Sequence, residues 1–269
     1  MKELCSPVND KDLSLVKELR KDIFRMMYYS KSSHIGGCLS CVDIIYSLYF
    51  KIMDCEKIKA KSPDRDVFIL SKGHNSATLY AVLAHAGFFP LDYLNRYYID
   101  DGLLPGHLDM TKVNGIECSS GSLGHGASIG LGFAIAKEKS NYSGHIYVLL
   151  GDGECNEGSV WEAVMLASTL KIKNYTLIVD FNHLQGMGRD VIDQHNLGER
   201  FAAFGLKVHE INGNDISQII PALQDRDGPI AVIAHTVKGY GVSFTEDKLE
   251  WHYKSPDSAQ LELALRELK

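Results

Sequence analysis

No stretch of this sequence approaches the roughly 20 consecutive apolar residues that a membrane-spanning helix needs, so no membrane partner is expected. Its first residues, MKELCSPVNDKDLSLVKELRKDIF, are charged and patterned for a helix, without the apolar centre of a secretory leader. The expected location is therefore the cytoplasm. Basic tracts are missing too: 28 Lys and Arg stand against 34 Asp and Glu, a formal net charge of -6. The electrostatic footprint of a nucleic-acid binder is absent, and no nucleic-acid partner is expected. Six cysteines in 269 residues are too few for a disulfide scaffold. Cys38 and Cys41 form a single CxxC with no second ligand pair at zinc-site spacing, and they read as small packing residues at a helix start. Repeats, low-complexity tracts and Pro- or Ser-rich linkers are lacking as well. One domain spanning 1–269 is the simplest organisation, with an N-terminal helical region over about 10–60.

What is present is ordinary in bulk and specific in order. The composition, 45% hydrophobic and 23% charged, supports a sizeable core. Short β-branched runs at 66–70, 146–150, 176–180, 207–211 and 230–235 alternate with amphipathic stretches such as 160–170 and 216–224. Several of the runs are almost continuously apolar, as strands buried on both faces of a parallel sheet are. The alternation predicts βαβ crossovers: an α/β fold with a doubly wound, mostly parallel sheet and helices on both faces.

Folds of this kind bind ligands at the carboxyl ends of their strands. Small and polar residues gather at four of those ends: Ser71-Lys72-Gly73-His74, Gly151-Asp152-Gly153, Asn182-His183-Leu184 and Thr236-Val237-Lys238-Gly239. Asp152 ends one strand between two glycines, and Asn182 follows the next strand thirty positions later, a βαβ spacing. Adjacent strands lie about 4.8 Å apart, so the two side chains can meet at one ion. The Asp152 carboxylate, the Asn182 amide oxygen and a backbone carbonyl just beyond offer the hard oxygens that Mg2+ prefers alongside phosphate. Gly151 and Gly153 let the backbone approach a diphosphate, and a helix expected to start at 157–159 aims its N-terminal dipole there.

The pairing of Gly-Asp-Gly with Asn182 resembles the thiamine diphosphate signature, and the remaining loops resemble those of transketolase. Ser33-His34-Ile35-Gly36-Gly37, Ser71-Lys72-Gly73-His74 and Leu104-Pro105-Gly106-His107 look like its three histidine loops, in order. Ser120-Gly121-Ser122-Leu123-Gly124-His125-Gly126 resembles its cofactor loop, and Trp251-His252 its last active-site histidine. The resemblance runs from about residue 12 to 255. Ile35 and Ser122 stand where the family has proline, and His125 where it commonly has glutamine.

That resemblance implies a site. Asp152, Asn182 and the Leu184 carbonyl would hold Mg2+ or Ca2+. Gly121, Leu123, Gly153, Glu154 and Lys238 would line thiamine diphosphate, and Glu157 would link two cofactor sites across an interface. His34, His74, His107 and His252 would surround the reacting sugar. Imidazoles suit that task, because alkoxides formed by carbonyl addition need protons near neutral pH. His85, His145, His195 and His209 are expected on solvated surface, and His125 stays outside the catalytic set. His183 is equally compatible with a place near the cofactor and with solvent.

In transketolase the glutamate that activates the cofactor lies on a second α/β domain. The chain runs only to Lys269, about fifteen residues past the His252 segment, which leaves no room for that domain. The resemblance thus implies the N-terminal subunit of a split transketolase. It would transfer a two-carbon ketol unit from a ketose to an aldose, acting on small sugars or sugar phosphates. A separate C-terminal subunit would carry the pyrimidine-binding domain, in an α2β2 heterotetramer. The competing expectations are the alpha subunit of another thiamine diphosphate enzyme, such as a 2-oxo acid dehydrogenase or a deoxyxylulose phosphate synthase-like protein, and a non-catalytic regulatory subunit.

Overall fold

The computed structural model describes residues 8–269; residues 1–7, the opening of the charged N-terminal stretch, lie outside the described residues. Asn9 starts the first helix, α1 (Asp10–Ser30), with a capping box. Its side chain accepts from the Lys11 and Asp12 amides, and the Asp12 carboxylate accepts from the Asn9 amide. Short helices α2 (Ile35–Ser40), α3 (Val42–Ser47) and α4 (Cys55–Lys59) follow, then β1 (Val67–Leu70) and α5 (Ser76–His85). Beyond a largely irregular stretch come α6 (His125–Lys139), β2 (Ile146–Gly151), α7 (Gly158–Leu170) and β3 (Tyr175–Phe181). A hairpin of two-residue strands, β4 (Leu184–Gln185) and β5 (Gly188–Arg189), leads into α8 (Leu197–Ala203) and β6 (Lys207–Asn212). The chain closes with α9 (Ile216–Gln224), β7 (Ile230–His235) and α10 (Ser258–Glu267).

Five strands form one parallel sheet in the order β1-β2-β3-β7-β6. Successive side chains on a strand face opposite ways, and each way leads into a core. Phe68, Leu70, Tyr147, Leu149, Ile178 and Val232 join the cluster that contains α1 to α3, α5 and α9. Val67, Ile69, Ile146, Val148, Leu177 and Val179 join the one that contains α6 and α7. Two-sided burial is why these strands read as apolar runs rather than alternating ones. The doubly wound α/β expectation holds. Each predicted strand also lies within one residue of the observed one at both ends. The β4–β5 hairpin was not foreseen; two-residue strands carry no periodicity to read.

Cys38, inside α2, and Cys41, just after it, are buried and free, with the Cys41 thiol turned to the Gly37 carbonyl. Burial pushes the Cys41 thiol up to about 12, which leaves it an inert packing group.

The histidines expected on the surface require correction. His195 is exposed, but His145 is 1% exposed, its Nε2 bonded to Thr176 Oγ1 at 2.8 Å. His85 and His209 are partly buried on Asp22 (2.8 Å) and Asp225 (2.7 Å). The partners come from other elements, so no local pattern announces them. Burial pushes His145 from 6.5 down to about 3. The unfolded chain then takes up this proton first. The stability tied to neutral His145 is complete above about pH 6.5 and declines as pH falls toward 3. Between pH 7 and 5 the loss should be about 2 kcal/mol. Denaturant unfolding of a His145→Gln variant at both pH values should show a difference smaller by about that amount. An unaltered pH slope would mean that His145 titrates normally.

Candidate active site

The carboxyl ends of β1, β2, β3 and β7 converge on a cavity of about 350 Å³. Its walls bring together His34, His74, His107 and His252, the residues Gly121, Leu123, Gly153, Glu154 and Lys238, and Asp152, Asn182 and Leu184. These come from segments spread over most of the chain, from His34 to His252. Glu157 is the expected site residue that does not join them: it is exposed, at the N-cap position of α7.

At one end the cavity is built of oxygens. β2 and β3 pair in register, Gly151 beside Asp180, so Asp152 and Asn182 leave adjacent strands as their spacing predicted. Asp152 Oδ1 accepts from the Gly153 amide (2.7 Å) and Oδ2 from the Asn182 amide (3.3 Å). Asn182 Oδ1 accepts from the Leu184 amide (3.1 Å), and the Leu184 carbonyl accepts from the Lys238 ammonium. A carboxylate, an amide oxygen and a carbonyl are the hard donors that Mg2+ or Ca2+ takes. The Lys238 ammonium already rests on that carbonyl, so a cationic group is accommodated beside one of the three oxygens. Among the described residues no three His, Cys, Asp or Glu are grouped for a metal; this donor set contains one such side chain, Asp152. Beside it, a Cβ at Gly151 would meet nothing within 4 Å, so the space there is free for a ligand.

Charge in this pocket is buried and nearly balanced. Lys72 and Asp180 form an ion pair with side chains 3% and 0% exposed. Burial alone would raise the Asp180 pKa, but the Lys72 ammonium and the Ser40 and Thr236 hydroxyls hold it below the usual range. Asp152 is raised, by burial first and then by Asp180. Burial pulls Lys238 down to about 8 against the attraction of Asp152. The roles of Lys72 and Asp180 were missed in the sequence. The available signal was an Asp closing an otherwise apolar strand, because a carboxylate buried there needs a cation.

Glu154 has its carboxylate engaged by the Ser71 hydroxyl and by the amides of Gly124 (2.8 Å) and Gly151 (3.1 Å). It ties the segments of Ser71, Gly124 and Gly151 together at the cavity wall. Gly121 has φ of 142°, and a Cβ there would stand 3.0 Å from His107 Cδ2, so this loop position requires glycine.

Imidazoles adjoin these oxygens, joined to them through Lys238. His34 sits at φ 76°, in the left-handed region, held by its amide bonding to the His252 carbonyl at 2.9 Å. Its ring lies 5.0 Å from that of His74 and 5.1 Å from that of His252. Burial, reinforced by His107 and Lys238, lowers His34 to about 4. Burial and then Lys72 push His74 well down, and burial and then Lys238 lower His252 to about 3. These three rings are neutral at pH 7, each with one donor and one acceptor nitrogen. Lys238 Nζ lies 2.9 Å from His252 Nδ1; an ammonium can only donate, so Nδ1 accepts and the His252 proton rests on Nε2. His183 packs at a tilt against Phe181 (4.2 Å) and bonds Asp190 (3.0 Å), and it does not line the cavity. His125 is exposed at the start of α6, also outside the lining. Gly37, Gln185, Gly186 and Tyr253 also stand in the walls, and none was anticipated as a site residue.

From residue 11 to residue 264 the sequence matches the thiamine diphosphate-binding domain of transketolase. The chain belongs to the transketolase family. Its relatives include one of the named subunits of apulose-4-phosphate transketolase from Actinobacillus succinogenes, 44% identical over 241 residues, which cover 88% of this chain and 87% of that one. The SqwG subunit of 6-deoxy-6-sulfo-D-fructose transketolase from a Clostridium species is 34% identical over 242 residues, 88% of each chain. Transketolase from Campylobacter jejuni superposes with a TM-score of 0.89 at 27% identity, covering 97% of this chain and 43% of that one. This transketolase chain therefore matches separately named subunits along most of their length and spans about two fifths of the solved transketolase. It is a transketolase-type transferase chain, and no helix among its described residues is long and apolar enough to cross a membrane.

Proposed function

We propose that this chain is the diphosphate-binding subunit of a split transketolase, working with a second polypeptide to move a two-carbon ketol unit from a ketose to an aldose. The observation that carries this reading is the single cavity in which an oxygen donor set and four histidines meet. Alignment along most of the length of separately named transketolase subunits supports the division into two chains.

When bound, thiamine diphosphate would supply the carbanion chemistry that ketol transfer needs, held by the residues that line the cavity. The Asp152 carboxylate, Asn182 Oδ1 and the Leu184 carbonyl are the donors for Mg2+ or Ca2+ at the diphosphate end. Gly121, Leu123, Gly153 and Lys238 line the space beside them. His34, His74, His107 and His252 face the sugar. Lowered pKa values suit neutral His34, His74 and His252 to donating hydrogen bonds to sugar oxygens more than to acting as strong bases. Lys238, bonded to His252 Nδ1, keeps the donor proton on the nitrogen remote from it. Glu157, exposed beside the cavity loops, is available to a neighbouring chain in an α2β2 assembly. A reducing compartment such as the cytoplasm suits the thiols of Cys38, Cys41, Cys118 and Cys155.

The test is reconstitution. The purified chain with Mg2+ and thiamine diphosphate should show no ketol transfer, and addition of the partner subunit should produce it. Turnover by the chain alone would overturn the divided-site reading. In the reconstituted pair, His34→Ala should lower kcat by roughly 10²-fold. The cofactor-induced stabilisation should persist, about 2.7 kcal/mol at 100 times Kd.

A further inference from the structure

Tyr253 stands at the mouth of the cavity, directly after His252, with its hydroxyl unclaimed. Its ring meets His252 edge-on at 4.5 Å and lies 6.2 Å from the ring of His34. The side chain is 66% exposed and still lines the cavity. No described residue hydrogen-bonds its hydroxyl.

Across from it lies Gly186, in the turn of the β4–β5 hairpin. A Cβ on Gly186 would fall 3.0 Å from the Tyr253 hydroxyl and 3.4 Å from His252 Nε2. Two hydrogen-bonding atoms therefore converge on the spot where a side chain is missing: a phenol that can donate and accept, and the ring nitrogen that carries the His252 proton. Gly186 has no positive φ, so its backbone does not require glycine; what the missing Cβ preserves is the notch.

The notch suits a neutral polar group. Lys238 is turned to the Leu184 carbonyl and His252 Nδ1. Lys254 stands over the Trp251 ring at 4.8 Å and 3.8 Å from Glu250. Arg189 is paired with Asp247. Cations are thus committed elsewhere, and a phosphate would find neutral partners only. The flat phenol ring adds a surface for the C–H face of a sugar.

We infer that Tyr253 is a specificity-determining residue: its hydroxyl, with His252 Nε2 across Gly186, binds a hydroxyl of the sugar chain beyond the two reacting carbons. Tyr253 lies at the exposed rim, on the Nε2 side of the His252 ring, whereas Lys238 and the Leu184 carbonyl that it bonds lie on the Nδ1 side. A short acceptor does not reach the notch and a longer aldose does. This inference rests on the ketol-transfer reading.

The experiment uses the reconstituted enzyme with Tyr253→Phe, which keeps the ring and removes one oxygen. kcat/KM is measured with glycolaldehyde and with a five-carbon aldose as acceptors. The five-carbon to two-carbon ratio should fall about 5- to 10-fold, the range for losing one hydrogen bond at about 1–1.4 kcal/mol. Gly186→Ala, which places a methyl in the notch, should lower the same ratio. Equal losses for both acceptors would show that Tyr253 only supports His252 or the docking of the partner chain, and an unchanged ratio would show that the hydroxyl is idle; either overturns the inference. A wild-type pair with no ketol transfer would overturn this inference and the proposed function together. An active wild-type pair with an unmoved ratio overturns this inference alone.

Discussion

Asp152→Ala should remove ketol transfer from the reconstituted enzyme, by roughly 10³-fold or more, and leave the isolated chain as stable as before. The loss follows from the proposed donor set, in which Asp152 would be the one charged ligand to a divalent cation beside the diphosphate. Removing a metal's electrostatic contribution is worth several kcal/mol, and about 1.4 kcal/mol is tenfold in rate. The retained stability follows from the direction of its pKa. Burial and the neighbouring Asp180 raise Asp152, so folding opposes its ionised form. A carboxylate whose folded pKa is raised detracts from stability at neutral pH, and its removal relieves that strain. Two melting measurements separate the effects. Without ligands the variant chain should match or exceed the wild type; in the reconstituted pair, the shift induced by Mg2+ and thiamine diphosphate should vanish. A preserved ligand-induced shift would remove Asp152 from the metal site.

Asp180→Ala should act in the opposite way, destroying stability first and activity only as a consequence. Asp180 lies at the end of the central strand β3 with a fully buried side chain, and it engages the Lys72 ammonium and the Ser40 and Thr236 hydroxyls. Those partners reach it from the ends of β1, α2 and β7, so a single carboxylate pins three segments around the cavity floor. Without it the Lys72 ammonium stays buried and uncompensated, and breaking such a pair costs about 3–5 kcal/mol. For a chain of this size that is roughly 6–20 °C in Tm. The diagnostic is the double variant. Lys72→Met with Asp180→Leu deletes both charges and should recover much of the loss, because the penalty is for one unpaired charge. Strictly additive losses in the two single variants and the double would mean that the pair is not coupled.

The two carboxylates stand at the ends of neighbouring strands and yet have contrary tasks. Asp180 has a cation of its own within the fold. Asp152 is left with backbone amides and a pKa raised by its surroundings, the state of a group arranged for a ligand rather than for the fold. The same division separates the histidines. His145 is neutral because a core encloses it, while His34, His74 and His252 are neutral around a cavity that a substrate can enter.

Much of this was legible before any coordinates. Strand positions came from unbroken apolar runs, since a strand buried on both faces has no polar side to interrupt it. Asp152 and Asn182 were readable as partners because a βαβ crossover brings residues about thirty apart onto adjacent strand ends, and the histidine loops were readable as ordered motifs. What stayed hidden depends on contacts between distant segments. Lys72 finds Asp180 across 108 positions, and Tyr253 finds Gly186 through a hairpin too short to leave a periodic trace. His145 gave no sign of being core, because the Thr176 hydroxyl that satisfies it belongs to the next strand.

The doubly wound α/β sheet, and the strand ends that carry polar groups, were readable from residue order alone, because periodicity and turn chemistry are local properties of the chain. The metal, cofactor and histidine candidates came from resemblance in ordered loops. The fold decides that those loops share one cavity, which buried charges are already paired, and that the three cavity imidazoles of His34, His74 and His252 are neutral. Burial and charge pairing are properties of the folded neighbourhood, set by residues that the chain order keeps far apart.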